Sequence, residues 1–274
     1  MTTLDIAIAT HTPAGVRKVE QMILPPQPYV RYVVSWQNHG DAPVPEKLNR
    51  PDVKLVRFSG TGLSANRNNA LAHCTADIIL IADDDIIYPP DAFKIIITVF
   101  DSDPTLDLAT FKAAMPGKVN YPEKPVDLGR RLPKGYSVTT MEIACRRKAL
   151  SGLRFCTNLG LGTRYAAGED EFFLHSAIRS VVHCRFFPIE ICSHPDISTG
   201  QRANPSAATL RGFGCTIALL YPLTAVARLP LKAWRLSKSG RCGFFKALTA
   251  MITGAIGAPG VFIKYRKQQK LQYD

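Results

Sequence analysis

Asp77-Ile78-Ile79-Leu80-Ile81-Ala82-Asp83-Asp84-Asp85 decides how this chain is read. From Ile78 to Ala82 every residue is apolar, the pattern of a strand buried on both faces; a half-exposed strand would alternate. Such strands belong to parallel sheets covered by helices, and these sheets bind ligands outside the carboxyl ends of their strands. Asp83, Asp84 and Asp85 stand at that end. Three adjacent carboxylates repel one another unless a cation is present. Mg2+ and Mn2+ take oxygen ligands and are commonly shared with substrate phosphates. The triplet therefore points to a divalent metal and a diphosphate; the plain alternative is a solvated acidic turn.

The flanking sequence predicts the sheet. Leu4 to Thr10 is a short apolar run that ends in Thr10-His11-Thr12-Pro13, a turn with a helix start. Tyr29 to Gln37, rich in Val, Tyr and Trp, reads as a second strand, and the alternating Val53 to Phe58 as a third. Gly60-Thr61-Gly62 breaks the chain before a helix capped by Ser64 and running through His73, and Asp91 caps another through Phe100. Leu106 to Lys112 and Tyr136 to Cys145 are further strand candidates. Between them, Pro116 to Lys134 holds four prolines and reads as a long loop. Gly160-Leu161-Gly162 precedes Gly168-Glu169-Asp170-Glu171, which opens a helix through Ile178; strands at Cys184 to Phe187 and Ile189 to Cys192 follow. This alternation predicts an α/β domain with a mixed, mostly parallel sheet.

Charge separates the end of the chain from the rest. The 274 residues hold 34 Lys and Arg against 22 Asp and Glu, a net of +12. Residues 1–196 carry 22 basic and 21 acidic groups, whereas the 12 remaining basic residues meet only Asp274. Apolar stretches accompany them: Phe213 to Ala227 is uncharged, and Phe244, Phe245, Leu248, Met251 and Ile252 recur at helical spacing. The boundaries drawn are a catalytic domain at 1–210 and a basic amphipathic helical tail at 211–274. Such a tail suits the interface of an anionic membrane surface, with an ordinary packed helix pair as the alternative. No clean membrane span is expected, since Ala247 to Ile263 is interrupted by three glycines and Pro259. Seven cysteines without a C-x-x-C pair fit reduced thiols. With no basic start to the N-terminus, the expected location is cytoplasmic, on the inner face of the cell membrane.

Four features together resemble family-2 glycosyltransferases, which have the nucleotide-sugar-binding GT-A fold. They are the strand from Asp5 to Thr10, the segment Gly62-Leu63-Ser64-Ala65-Asn66-Arg67-Asn68, the strand ending in Asp83-Asp84-Asp85, and Gly168-Glu169-Asp170. The resemblance covers roughly residues 4–200. It implies a Rossmann-like nucleotide-sugar domain. The activity implied is metal-dependent, inverting transfer from a nucleoside-diphosphate sugar, with a lean to UDP, to a hydroxyl of a glycan or lipid-linked acceptor. Asp83 matches the carboxylate facing the nucleotide ribose, Asp85 the ligand of Mn2+ or Mg2+, and Asp84 shares either role. Arg67 and Asn68 match the pair supporting the nucleotide pocket, and Thr10 and His11 lie in the loop that cradles the base. Asp170 matches the catalytic base, and Glu169 an acceptor-positioning neighbour. Relatives carry an Asp after the second strand to read uracil; here Gln37 or Asn38 stands in that region. His194 is either a third metal ligand or diphosphate contact, or a hydrogen-bonded loop histidine.

One catalytic carboxylate suffices for an inverting transfer, because the metal neutralises the departing diphosphate. Two competing readings remain open. A nucleotidyltransferase also uses Asp clusters on parallel sheets, but His11-Thr12-Pro13-Ala14-Gly15 with Arg17 and Lys18 is a poor phosphate loop. A non-enzymatic, basic nucleic-acid-binding protein would account for the charge, but the basic residues lie in apolar helices without a nucleic-acid motif; no nucleic-acid partner is expected.

Overall fold

The computed structural model describes residues 1–117, 120–180, 183–195 and 203–270. The chain divides into two compact units. One comprises Met1–Thr61, Ala65–Leu153 and Ser176–Asp196; the other comprises Gly62–Ser64, Arg154–His175 and Ile197–Asp274.

The first unit is built on an eight-stranded sheet. Its strands are β1 (Leu4–His11), β2 (Val30–Gln37), β3 (Val53–Phe58), β4 (Ile78–Ala82), β5 (Leu108–Ala114), β6 (Val126–Asp127), β7 (Ile143–Arg146) and β8 (Cys184–Ser193). They lie in the order β3-β2-β1-β4-β7-β5-β8-β6. The β3-β2-β1-β4 half is parallel throughout, β7 runs antiparallel to both β4 and β5, and β5 and β8 are parallel. All five residues of β4 are buried, as a strand covered on both faces requires. Helix α1 (Thr12–Met22) turns Val16, Val19 and Met22 into the core, and α3 (Ala92–Ser102) turns in Phe93, Ile96 and Phe100. Trp36 is fully buried, and its indole N–H donates to the Thr12 carbonyl at 2.9 Å. The β1 start is held by Asp5, whose carboxylate accepts from the Arg31 guanidinium and from the Thr75 and Ala76 amides.

Several elements differ from the sequence-based expectation. Ser64 lies inside α2 (Leu63–Ala72), and its hydroxyl donates to the Leu159 carbonyl instead of capping the helix. Asp91 sits at the cap position of α3 without a side-chain cap bond. Of the expected strand Tyr136 to Cys145, only β7 is extended. Thr139 and Glu142 form a capping box that turns the chain just before it. The two strands expected around Pro188 are one strand, β8, paired to β5 with shifted register between Thr110 and Ala113. Pro188 is tolerated there because β6 pairs only with Arg185 and Phe186, which leaves the proline on an unpaired edge.

The second unit is helical. It contains the start of α4 (Glu169–Ser180), then α5 (Ala207–Leu220), α6 (Ala225–Lys238) and α7 (Phe244–Lys270). The expected interruption between Ala247 and Ile263 is absent: α7 is one helix of 27 residues, long and apolar enough to cross a membrane by length and composition. Its glycines are packing devices. A Cβ on Gly254 would strike the Arg211 carbonyl, and one on Gly214 would strike the Met251 carbonyl, so α5 and α7 meet backbone to backbone. The buried residues of α7, Ala247, Met251, Gly254, Ala258, Val261 and Tyr265, recur at alternating steps of four and three. This is the narrow stripe of a helix packed along one seam. All seven cysteines are thiols outside any disulfide, and six are buried.

Candidate active site

In a parallel βαβ unit, the carboxyl end of the strand and the start of the following helix meet, so β1, α1 and β4 converge where β4 runs out. Eight of the ten candidate residues lie in the first unit: Thr10, His11, Arg67, Asn68, Asp83, Asp84, Asp85 and His194. Glu169 and Asp170 lie in the second.

The three aspartates have different partners. Asp83 accepts a 2.6 Å ion-paired hydrogen bond from Arg67, whose side chain is 3% exposed. A guanidinium this deeply buried is held for orientation as much as for charge. Asp84 accepts from the Thr10 hydroxyl at 2.6 Å and packs against Gly15 of α1, where a Cβ would collide with both groups. Burial raises the Asp84 pKa, and neighbouring Asp85 and Asp83 raise it further, against the Thr10 hydrogen bond and Lys18, which lower it. Asp85 is held from both sides: its Oδ1 lies 3.0 Å from His194 Nε2, and its Oδ2 accepts from Lys18 Nζ at 3.0 Å.

Backbone and buried amides fix the frame around these groups. The His194 N–H donates to the Ala114 carbonyl at the end of β5, which brings the imidazole to β4. Asn66, 1% exposed, donates to the Thr10 carbonyl and accepts from Ser35 at 2.6 Å, so α2 is tied to both β1 and β2. Asn68 is half-buried on α2. His11 is exposed at the start of α1, and its Nε2 meets Asn38 Nδ2 at 2.6 Å. Asn38 has the left-handed backbone (φ 50°) that asparagine tolerates. The possible base-reading residues therefore divide: Gln37 is buried at the end of β2, while Asn38 faces His11.

In the second unit, Gly168 precedes α4, and Glu169, Asp170 and Glu171 form its first turn. Carboxylates there are favoured by the helix dipole whatever their chemistry. Glu169 is 9% exposed and Asp170 half-buried.

The donor set suits a cation shared with a substrate. Asp85 and His194 supply one oxygen and one nitrogen within reach of each other, while Arg67 and Thr10 engage Asp83 and Asp84. Among the described residues no group of three or more His, Cys, Asp or Glu is gathered for metal. Two protein ligands with the remaining positions left to phosphate and water are what Mg2+ or Mn2+ accepts in such sites. Sequence reading overlooked Lys18 as a partner of Asp85. Its signal was the place of α1, directly after β1, where a basic residue in the first two turns meets the carboxyl ends of the strands.

The architecture is of the GT-A type. Residues 41–151 match the glycosyl transferase family 2 description, a stretch that includes the segment around Arg67 and Asn68 and all three aspartates. Over that stretch, less than half of its length, the chain is similar to the family-2 glycosyltransferases. Its fold is similar to that of S. aureus TarS (TM-score 0.56, 14% identity, 85% of this chain and 43% of that one). It is also similar to TarS 1–349 in complex with UDP-GlcNAc (TM-score 0.59, 14% identity, 96% of this chain and 81% of that one). A third similar structure is TarS 1–349 in complex with UDP (TM-score 0.60, 13% identity, 98% of this chain and 88% of that one). The chain thus spans less than half of the longest of these structures. No curated protein matches it in sequence.

Proposed function

We propose that this chain transfers a hexosyl or N-acetylhexosaminyl group from a UDP-sugar to a hydroxyl of a glycan or lipid-linked acceptor, with inversion and with a divalent metal. The observation that carries the reading is Asp85 at the carboxyl end of β4, with His194 at one oxygen and Lys18 at the other. The UDP and UDP-GlcNAc complexes of TarS support the donor class.

Asp85 and His194 would hold the cation, Mn2+ or Mg2+, which neutralises charge on the diphosphate as it leaves. Arg67 fixes the rotamer of Asp83, so this carboxylate can accept from the ribose hydroxyls without reorganising. Thr10 and His11 border the base, and Asn68 supports the same pocket from α2. Asp170 accepts the proton of the acceptor hydroxyl as its oxygen bonds the anomeric carbon, the bond to the diphosphate breaks, and the configuration inverts. Glu169 orients the acceptor.

Attachment to the inner face of the cell membrane is part of the same proposal. Leu223, Val226, Phe245 and Ile256 are exposed, and Arg235, Lys238, Lys246 and Lys264 are exposed among them. The described residues after 203 include no acidic group. Because the α7 stripe is packed, the helix would lie on the surface with its other face toward lipid.

Thermal stabilisation by UDP-sugars tests the core of the reading. With Mn2+ and ligand at 100 times its dissociation constant, the gain is about 2.7 kcal/mol. Asp85→Ala should lose that gain and nearly all turnover. Wild-type turnover in chelator would overturn the metal requirement.

A further inference from the structure

We propose that Lys18 is a resident counter-ion for Asp85 that a divalent cation must displace, so that the free enzyme binds metal weakly. The inference rests on the metal reading above. Lys18 Nζ lies 3.0 Å from Asp85 Oδ2, while His194 Nε2 lies 3.0 Å from Oδ1. Both oxygens of the proposed metal ligand are therefore engaged by nitrogen. A monodentate cation needs at least one of them, and an ammonium and a divalent ion cannot share one oxygen without strong repulsion.

The geometry also shows why the lysine can yield. Its side chain is 52% exposed, against 26% for Asp85, so water can solvate the ammonium once it swings away. Half-exposed pairs of this kind are weak. The displaced ammonium keeps its charge and its four-carbon reach on α1, so it can meet a donor diphosphate bound beside Asp85. Lys18 thus opposes metal in the empty enzyme and favours donor with metal in the loaded one. The two ligands become cooperative, because each removes a cost of binding the other.

The test measures Mn2+ alone, by calorimetry and by the electron-spin-resonance signal of the free ion, on intact wild type, Lys18→Met, Lys18→Arg and Asp85→Asn. Far-UV circular dichroism checks each fold. Lys18→Met should bind Mn2+ about tenfold more tightly than wild type, Lys18→Arg about as weakly as wild type, and Asp85→Asn not at all. UDP in saturating Mn2+ should bind Lys18→Met about fivefold more weakly than wild type. If Asp85→Asn abolishes Mn2+ binding but Lys18→Met leaves it unchanged or weaker, the counter-ion role is overturned and the metal reading survives. If Mn2+ binds none of the Asp85-containing proteins, both are overturned.

Discussion

Asp84 carries a cost that is visible in its surroundings. Burial and two adjacent carboxylates raise its pKa, so over the pH range between its unfolded and folded values the native state holds more proton than the unfolded chain. The slope of stability with pH follows the difference in bound protons, unfolded minus native, and is negative here. Stability contributed by protonated Asp84 is full at low pH and is lost as pH rises through the folded pKa. Asp84→Asn keeps an acceptor for the Thr10 hydroxyl and removes the charge. It should therefore raise the melting temperature at pH 7, by no more than about 1 kcal/mol of stability. The gain should vanish in melts run near pH 4. Asp170 makes a different residue-scale prediction. Asp170→Asn preserves shape and removes proton acceptance, so turnover should fall by about 10²–10⁴ with donor affinity unchanged in a binding assay. Collapse of donor affinity along with the rate would assign Asp170 a binding role.

At the scale of elements, the glycines of α7 separate helix propensity from packing. Gly254 faces the Arg211 carbonyl of α5, and its own interior position leaves no room for a methyl group. Gly260 is exposed on the same helix with nothing within 4 Å of an added Cβ. Gly254→Ala should thus destabilise the chain by about 1–3 kcal/mol, in the range of overpacked cores. Gly260→Ala should stabilise it by about 0.5–1 kcal/mol through helix propensity alone. Urea unfolding of both variants reads the difference. Equal effects would mean that α5 and α7 do not meet through their backbones.

For the whole molecule, charge and apolar exposure coincide at one end of the sequence. Each basic group near an anionic leaflet contributes about 1 kcal/mol. Changing Arg235, Lys238, Lys246 and Lys264 to Glu should therefore weaken binding to phosphatidylserine-containing vesicles by at least a thousandfold, about 4 kcal/mol. Transfer to a soluble acceptor should persist. Lys232 is left out of this set because its ammonium lies 4.9 Å above the Phe213 ring and burial lowers its pKa, so it belongs to the packing of α6. Vesicle sedimentation that ignores both the four reversals and high salt would make the tail a packed subdomain without a lipid face.

The apolar run ending in Asp83-Asp84-Asp85 determined from sequence alone the buried strand, the α/β class and the carboxylates at its end, because a strand covered on both faces admits little else. The parallel half, β1 to β4, was legible for the same reason: its hydrogen bonds and helices follow a local, repeating order. The strand around Pro188 was misread because a proline breaks a ladder only on a side that is paired, and pairing is a property of the neighbour β6. The continuity of α7 was misread because glycine is helix-poor in isolation, whereas here it admits the α5 backbone and recovers the loss as contact. The partition of the three aspartates among Arg67, Thr10, Lys18 and His194 came only from tertiary structure. Adjacent residues leave a strand end in different directions, so identical carboxylates meet partners up to 109 positions away along the chain. No local pattern encodes which one each will find.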